Sequence, residues 1–359
     1  MSVWVTEMFT SVPEVSISSN EKYLFAEIDD GSGVSFAFYV YRDNKKIHTQ
    51  WYSSAQELVF EHGGMPGVYR VTGFIRNNDA KTIMKSSRNC IIFGGKVNAH
   101  EIDFSILKDE PLLVRSGNYD FYCLFKRGVE KRLFVLLTAA INRPCPVPAF
   151  NRWKWRDRFP GSVLCISDPT LLQSEVLGIG WYLGCEENDA TSDMAELVGI
   201  FATGLGISAG NIIPYGSSAG GFSAMSLASR IPGAMAVAIN PQTDATKYKA
   251  RRVAEMIAHC FPGLTLDDVR QRYRSRVDMT SAIPQSDARV IIVQNMEDHE
   301  HWEPHFLPFA NSTGLPFRSG KSSDGRHASI VYSHENGHAS ETSEVFEQII
   351  ELIVGMCEE

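Results

Sequence analysis

Several features that would place this chain in a special class are missing. Its seven cysteines, Cys90, Cys123, Cys145, Cys165, Cys185, Cys260 and Cys357, are scattered, odd in number and form no Cys-x-x-Cys pair. That excludes a disulfide framework and points to free thiols in a reducing compartment. Met1 to Pro13 has no basic stretch leading into an apolar one, so no signal peptide is expected. No uninterrupted apolar run approaches about 18 residues, so no membrane span is expected, and a cytoplasmic location is the expectation. Positive charge is not in excess either. The 34 Lys and Arg against 42 Asp and Glu leave a formal charge of -8, which argues against nucleic acid as a partner. There is no internal repeat and no low-complexity segment. What remains is an ordinary globular composition, 44% hydrophobic and 21% charged over 359 residues, with room for a large core and two domains.

Residues 20 to 95 read as strands. Val34, Phe36, Phe38 and Val40 alternate with Ser35, Ala37, Tyr39 and Tyr41, and Tyr69, Val71 and Ile75 alternate with Arg70, Thr72 and Arg76. Period two marks half-buried strands. Turn signals separate the runs at Asp29-Asp30-Gly31, Asp43-Asn44, Gly63-Gly64 and Asn77-Asn78-Asp79. The pattern predicts a small all-β, immunoglobulin-like sandwich over residues 1–105.

From about residue 118 the rhythm changes. Apolar runs near 121–125, 132–138, 162–167, 211–215, 234–239, 288–294 and 328–333 are separated by helical patterns near 192–204, 219–230, 247–259, 266–274 and 341–356. Strands apolar on both faces with helices between them predict an α/β domain, with a mostly parallel sheet covered on both sides, over residues 106–359.

The stretch from Asn211 to Phe222 carries the chemistry. It contains Gly-x-Ser-x-Gly at Gly216, Ser218 and Gly220, after a short apolar strand and before a helix rich in small residues. A strand-to-helix turn that lifts a serine hydroxyl above a sheet is too tight for side chains beside it, hence the glycines. The helix N-terminus then aims free N–H groups at the same spot, and the Ala219 N–H is one expected oxyanion donor. Ser217 shares the turn, but only Ser218 has glycines at both minus two and plus two.

A serine hydroxyl needs a base, itself oriented by an acid, and in this arrangement the chain order is Ser, acid, His. The run Arg289 to Val293 leads into Gln294-Asn295-Met296-Glu297-Asp298, and Ser329 to Tyr332 leads into Ser333-His334-Glu335-Asn336-Gly337-His338. Asp298 competes with Glu297 as the acid, and His338 with His334 as the base. Gly337 supplies a turn able to aim the next ring, which favours His338. A second oxyanion donor is expected near Ala139 or Ala140, after the strand at 132–138.

Other clusters carry a bland reading beside the functional one. His299, His301 and His305, with Glu303 and Asp298, resemble a metal set. A polar loop with His301 buttressing the site is the preferred reading, and no metal or cofactor is expected. Arg143, Arg152, Trp153, Lys154, Trp155, Arg156 and Arg158 mix aromatics with cations, which suits a sugar ring beside an anionic group. Arg143, Arg152, Trp153, Trp155 and His301 are therefore the candidate substrate contacts. The segment from Asn240 to Tyr248 follows a strand and is placed to line the site, with no role assigned.

A family resemblance rests on several of these segments together. They are Ala140–Arg143 with Phe150–Trp155; Ile166–Leu171; Gly180-Trp181-Tyr182; Tyr215–Phe222; Ala238–Asp244; and Gln294–Asp298 with His301 and Trp302–Phe306. In these the chain from about residue 130 resembles the α/β-hydrolase domains of bacterial surface-polysaccharide biosynthesis proteins and of accessory secretion systems that modify glycoproteins. The resemblance implies a Ser218–Asp298–His338 triad, an extra β-domain, and ester cleavage or O-acyl transfer on a saccharide. An acyl donor such as acyl-CoA is then among the expected partners. The alternative is a non-catalytic glycan-binding or scaffolding protein on the same fold, against which the intact Ser, acid and His argue.

Overall fold

A computed structural model describes residues 13–29, 34–78, 81–143, 147–339 and 341–358. Met1 to Val12, the turn residues Asp30, Gly31 and Asp79, and Cys145 lie outside them. The other six cysteines are free thiols. Two compact units divide between Gly95 and Lys96.

In the first unit, Glu14–Ser19, Tyr23–Asp29 and Glu57–Glu61 form one antiparallel sheet. Ser35–Arg42, Lys45–Ser53, Gly67–Arg76, Thr82–Ser86 and Cys90–Ile92 form another. The two share one core, to which Val15, Ile17, Leu24 and Ile28 come from the first and Phe36, Phe38, Val40, Tyr69, Val71 and Ile75 from the second. The period-two reading locates these residues, except that Val34 lies before its strand and is exposed. Gly73 interrupts the buried row because a Cβ there would lie 2.7 Å from Ile28 Cδ1, so the two sheets approach too closely for any side chain.

The second unit is built on a sheet whose eight long strands are numbered here in chain order: β1 (Pro111–Ser116), β2 (Tyr119–Lys126), β3 (Leu133–Leu137), β4 (Ser162–Ile166), β5 (Ile212–Ser217), β6 (Met235–Ile239), β7 (Arg289–Asn295) and β8 (His327–Tyr332). They lie in the order β1-β2-β4-β3-β5-β6-β7-β8, with two-residue strands at Val97–Asn98 and Gly320–Lys321 on the edges. Strands β3 to β8 pair in parallel, whereas β1 with β2 and β2 with β4 are antiparallel. Val97–Asn98 pairs with β1, so residues 96–105, assigned to the first domain from sequence, fold with the second.

Both faces of this sheet are covered, and the alternation along β3 shows how. Leu133, Val135 and Leu137 join a core with Met194, Leu197 and Phe201 of the helix Ala190–Leu205 and Phe222 of the helix Ala219–Ala228. Phe134 points the other way, against Phe159, which packs edge-on to Tyr215 and to Phe346 of the helix Ser343–Glu358. All five residues of β3, β4 and β6 are buried, as apolar runs without alternation demand. Among the described residues no helix is long and apolar enough to cross a membrane.

Candidate active site

Ser218 stands alone between β5 and the helix Ala219–Ala228, at φ 55° and ψ −121°. A non-glycine residue there costs on the order of 1–3 kcal/mol, held only where the surroundings over-determine it. They do so here. A Cβ on Gly216 would fall 2.3 Å from the Gly220 carbonyl oxygen, and one on Gly220 would fall 2.8 Å from the Leu137 carbonyl oxygen. The Ser218 N–H donates to Ile239 O at 2.9 Å. Glycines at these two positions let the turn close, and the turn sets the serine.

Two loops from the same end of the parallel strands meet this serine. The loop after β7 carries Asp298, which is 3% exposed, and the loop after β8 carries His338. His338 Nε2 lies 2.9 Å from Ser218 Oγ, and His338 Nδ1 lies 2.5 Å from Asp298 Oδ2. Burial alone would raise the Asp298 carboxyl, but hydrogen bonds from His301 and His338 outweigh it and hold the group well below the usual carboxylate range. The competing residues lie apart from this line. Glu297 Oε1 accepts from the Ser333 hydroxyl, and His334 Nδ1 accepts from the Asn336 N–H.

The loop bearing His338 is clamped by two asparagines to which sequence reasoning gave no role. Asn295 donates to the carbonyls of His334 and Gly337, and its side-chain oxygen accepts from the His334 N–H. Asn240, at φ 42°, donates to Ala339 O and accepts from the Asn295 N–H. Each bridges the ends of strands far apart in sequence, which no local pattern reveals.

A second histidine completes the cluster. His301 is fully buried, its Nδ1 lies 3.0 Å from Asp298 Oδ1, and its ring stacks on His338 with centroids 4.0 Å apart and planes 9° off parallel. An ionised carboxylate only accepts, so both rings carry a proton on Nδ1 and leave Nε2 as the acceptor, an assignment made from the network. Burial pushes the His301 imidazole down, against the pull of Asp298. His301 therefore supports Asp298 from inside, as its buttressing role anticipates, and the expectation that it touches substrate is corrected. Asp298, His301 and His338 are also the group among the described residues able to surround a cation, and His299, Glu303 and His305 are not in it.

His305 is buried against this cluster, its Nδ1 accepting from the Thr243 N–H. Burial, then His301 and Lys247, push its imidazole down to about 3. The unfolded chain takes up that proton near pH 6.5 while the folded one does not, so stability falls as pH drops below about 6.5 and continues to fall to about 3. The His305 share at pH 5 is about 2 kcal/mol. Urea unfolding of the wild type and His305→Gln at pH 7 and pH 5 measures it. The variant is expected to lose less stability over that interval, and equal losses would refute the assignment.

The remaining predicted contacts divide. The Ala219 N–H opens the helix that follows Ser218 and has no intrahelical partner by position. The Ala139 N–H, however, donates to Asn151 Oδ1 at 3.1 Å, which leaves Ala140 as the second oxyanion donor to consider. Arg143 donates to the carbonyls of Leu171, Ser174 and Leu177. Arg152 forms a buried bidentate pair with Glu341. Trp155 packs edge-on to Phe346, and Arg156 covers the face of Trp153. Arg152 is thus buried in its ion pair, which corrects its expected role as a substrate contact, and the half-buried Arg143 spends its guanidinium on backbone carbonyls. An aromatic and cationic sequence run does not distinguish a ligand wall from a strut.

Sheet order, elbow and chain order together define an α/β-hydrolase-type fold. No family model and no curated protein matches the sequence. Among solved structures, the capsule O-acetyltransferase of Neisseria meningitidis serogroup A is similar over 67% of this chain and 92% of its own, with 14% identity and a TM-score of 0.50. Porphyromonas gingivalis dipeptidyl peptidase 4 is similar over 94% of this chain and 50% of its own, with 11% identity and a TM-score of 0.50. An S-formylglutathione hydrolase from Agrobacterium tumefaciens matches over 69% and 93%, with 12% identity and a TM-score of 0.47. At these identities the likeness to the first two is one of fold alone.

Proposed function

We propose that this protein performs acyl-ester chemistry through a covalent acyl-Ser218 intermediate, with His338 as general base and then general acid and Asp298 as its orienting acid. The observation that carries the reading is the unbroken line from a strained Ser218, through His338 at 2.9 Å, to Asp298 at 2.5 Å. As Oγ attacks the ester carbonyl, its proton passes to His338 Nε2 and the carbonyl oxygen becomes an oxyanion facing the Ala219 and Ala140 N–H groups. Collapse breaks the ester C–O bond, and the leaving oxygen takes the proton from His338. A second hydroxyl then attacks the acyl-enzyme, gives its proton to His338, and Oγ departs protonated.

Water as the second hydroxyl makes the protein an esterase, and an alcohol makes it an O-acyltransferase. His338 is about a third exposed at its side chain, so solvent reaches the base, and hydrolysis is the default unless a bound acceptor excludes water. A protein similar to this chain in fold is named an O-acetyltransferase. With Arg143 and Arg152 occupied, the case for an anionic saccharide loses its two cations, and the acyl ester alone defines the substrate class. For residues 13–92 the two facing antiparallel sheets favour an immunoglobulin-like sandwich.

A serine-directed phosphonate tests the reading without knowledge of the natural substrate. Ser218 is expected to be the labelled residue, and Ser218→Ala is expected to remain folded with neither labelling nor ester turnover. Labelling at Ser217, or an active protein that resists the reagent, would remove the assignment.

A further inference from the structure

Gln242, on the loop after β6, is fully buried and lies within hydrogen-bond distance of three side chains from separate parts of the chain. The Trp181 indole N–H reaches Gln242 Oε1 at 3.2 Å. An indole nitrogen only donates, so it faces the amide oxygen and settles which end of Gln242 is nitrogen. That nitrogen is 2.9 Å from Ser218 Oγ and 2.8 Å from His301 Nε2. His301 gives its Nδ1 proton to Asp298, so its Nε2 accepts. The two N–H bonds of the amide then go one to His301 and one to Ser218 Oγ. The Ser218 hydroxyl proton is left for His338. Ser218, His338, Asp298, His301 and Gln242 close a ring in which every hydrogen bond has one donor and one acceptor.

We propose that Gln242 is a fourth catalytic group, whose amide N–H holds Ser218 Oγ in line with His338 and stabilises negative charge on that oxygen. The proposal rests on Ser218 being the nucleophile. Charge develops on Oγ twice, when His338 takes its proton and when Oγ leaves the second tetrahedral intermediate. A preformed donor that is itself fully buried acts on both events without reorganising. In the triad alone Oγ has His338 as its partner, and nothing else fixes its rotamer.

The fold commits unusual backbone to this contact. Trp181 and Tyr182 are consecutive non-glycine residues at φ 49° and 56°, a conformation costing on the order of 1–3 kcal/mol each that persists where surroundings impose it. Tyr182 is pinned by its N–H to Asp168 Oδ2 at 3.0 Å and by its hydroxyl to Ile166 O at 2.5 Å. The strained pair delivers the Trp181 indole to the amide oxygen, and so the amide nitrogen to Ser218.

The test compares the full-length wild type with Gln242→Met, which keeps the shape and removes the donor. The first readout is the rate constant for phosphonate labelling of Ser218, and the second is kcat and KM on p-nitrophenyl acetate. Labelling and kcat are expected to fall about 100-fold, with KM changed less than about threefold. A labelled wild type with Gln242→Met within about threefold of it overturns the role of Gln242 and leaves the serine reading intact. A loss confined to KM also overturns it, because a space-filling amide would act that way. A wild type that is not labelled overturns the serine reading beneath it. If Gln242→Met does not fold, Trp181→Phe takes its place, since it removes only the N–H that orients the amide. It is expected to slow labelling about tenfold, and an unchanged rate overturns the proposal.

Discussion

Asp298→Asn and His338→Ala are each expected to lower ester turnover by roughly three to four orders of magnitude, with the protein still folded. Asp298 accepts from two imidazoles at once, 2.5 Å from His338 and 3.0 Å from His301. An asparagine offers one acceptor and one donor in their place, so one ring must change tautomer: if it is His338, the hydroxyl proton of Ser218 loses its acceptor, and if it is His301, the Gln242 N–H loses its own. Glu297→Gln and His334→Ala are expected to change turnover less than about threefold, because neither side chain touches this line. The measurement is kcat for the four variants on one activated ester, with phosphonate labelling as the substrate-independent check. A dead His334→Ala beside an active His338→Ala would require the base to be redrawn.

Glu341→Ala is expected to destabilise the protein by about 3–5 kcal/mol, the usual cost of stranding one partner of a buried ion pair. The Arg152 and Glu341 side chains are 6% and 0% exposed, and Glu341 also accepts from the Tyr215 hydroxyl at 2.7 Å. Burial works against the Arg152 charge, yet Glu341 more than offsets it and raises the guanidinium above its ordinary value. Truncation of Glu341 leaves that cation without its carboxylate. Replacing both residues, Arg152→Met with Glu341→Met, is expected to recover much of the loss, since desolvation of the pair disappears with it. Arg158→Ala removes the exposed pair with Glu347 and is expected to cost about 1 kcal/mol or less. Urea midpoints at constant slope compare the four proteins. Glu341 follows His338 by three positions, so Glu341→Ala is also expected to lower turnover by slackening the loop that carries His338. A stability equal to that of Arg158→Ala would show that the buried pair contributes nothing special.

Much of the architecture was legible because it depends on local rules. Alternation placed Phe36, Phe38 and Val40 in a core, and continuous apolar runs placed β3, β4 and β6 inside a covered sheet. The antiparallel edge formed by β1 and β2 was not legible, since the residues of β2 read like any buried strand and direction is decided by its neighbours. The unit boundary was displaced for the same reason: Val97–Asn98 is too short to carry a pattern, and its pairing with β1 is a long-range fact.

At the site the division is sharper. Glycine placement around Ser218, and a carboxylate and a histidine after the last two long parallel strands, follow from sterics and chain order, so they are written in the sequence itself. Gln242, Trp181, Asn240 and Asn295 act through partners that lie tens of residues away along the chain, and no spacing rule encodes such meetings. The same holds in reverse for Arg143 and Arg152, whose residue types promise a ligand until the tertiary structure supplies carbonyls and a buried glutamate to receive them. Donors and acceptors acquire their function from what faces them, and what faces them is settled only when distant segments pack.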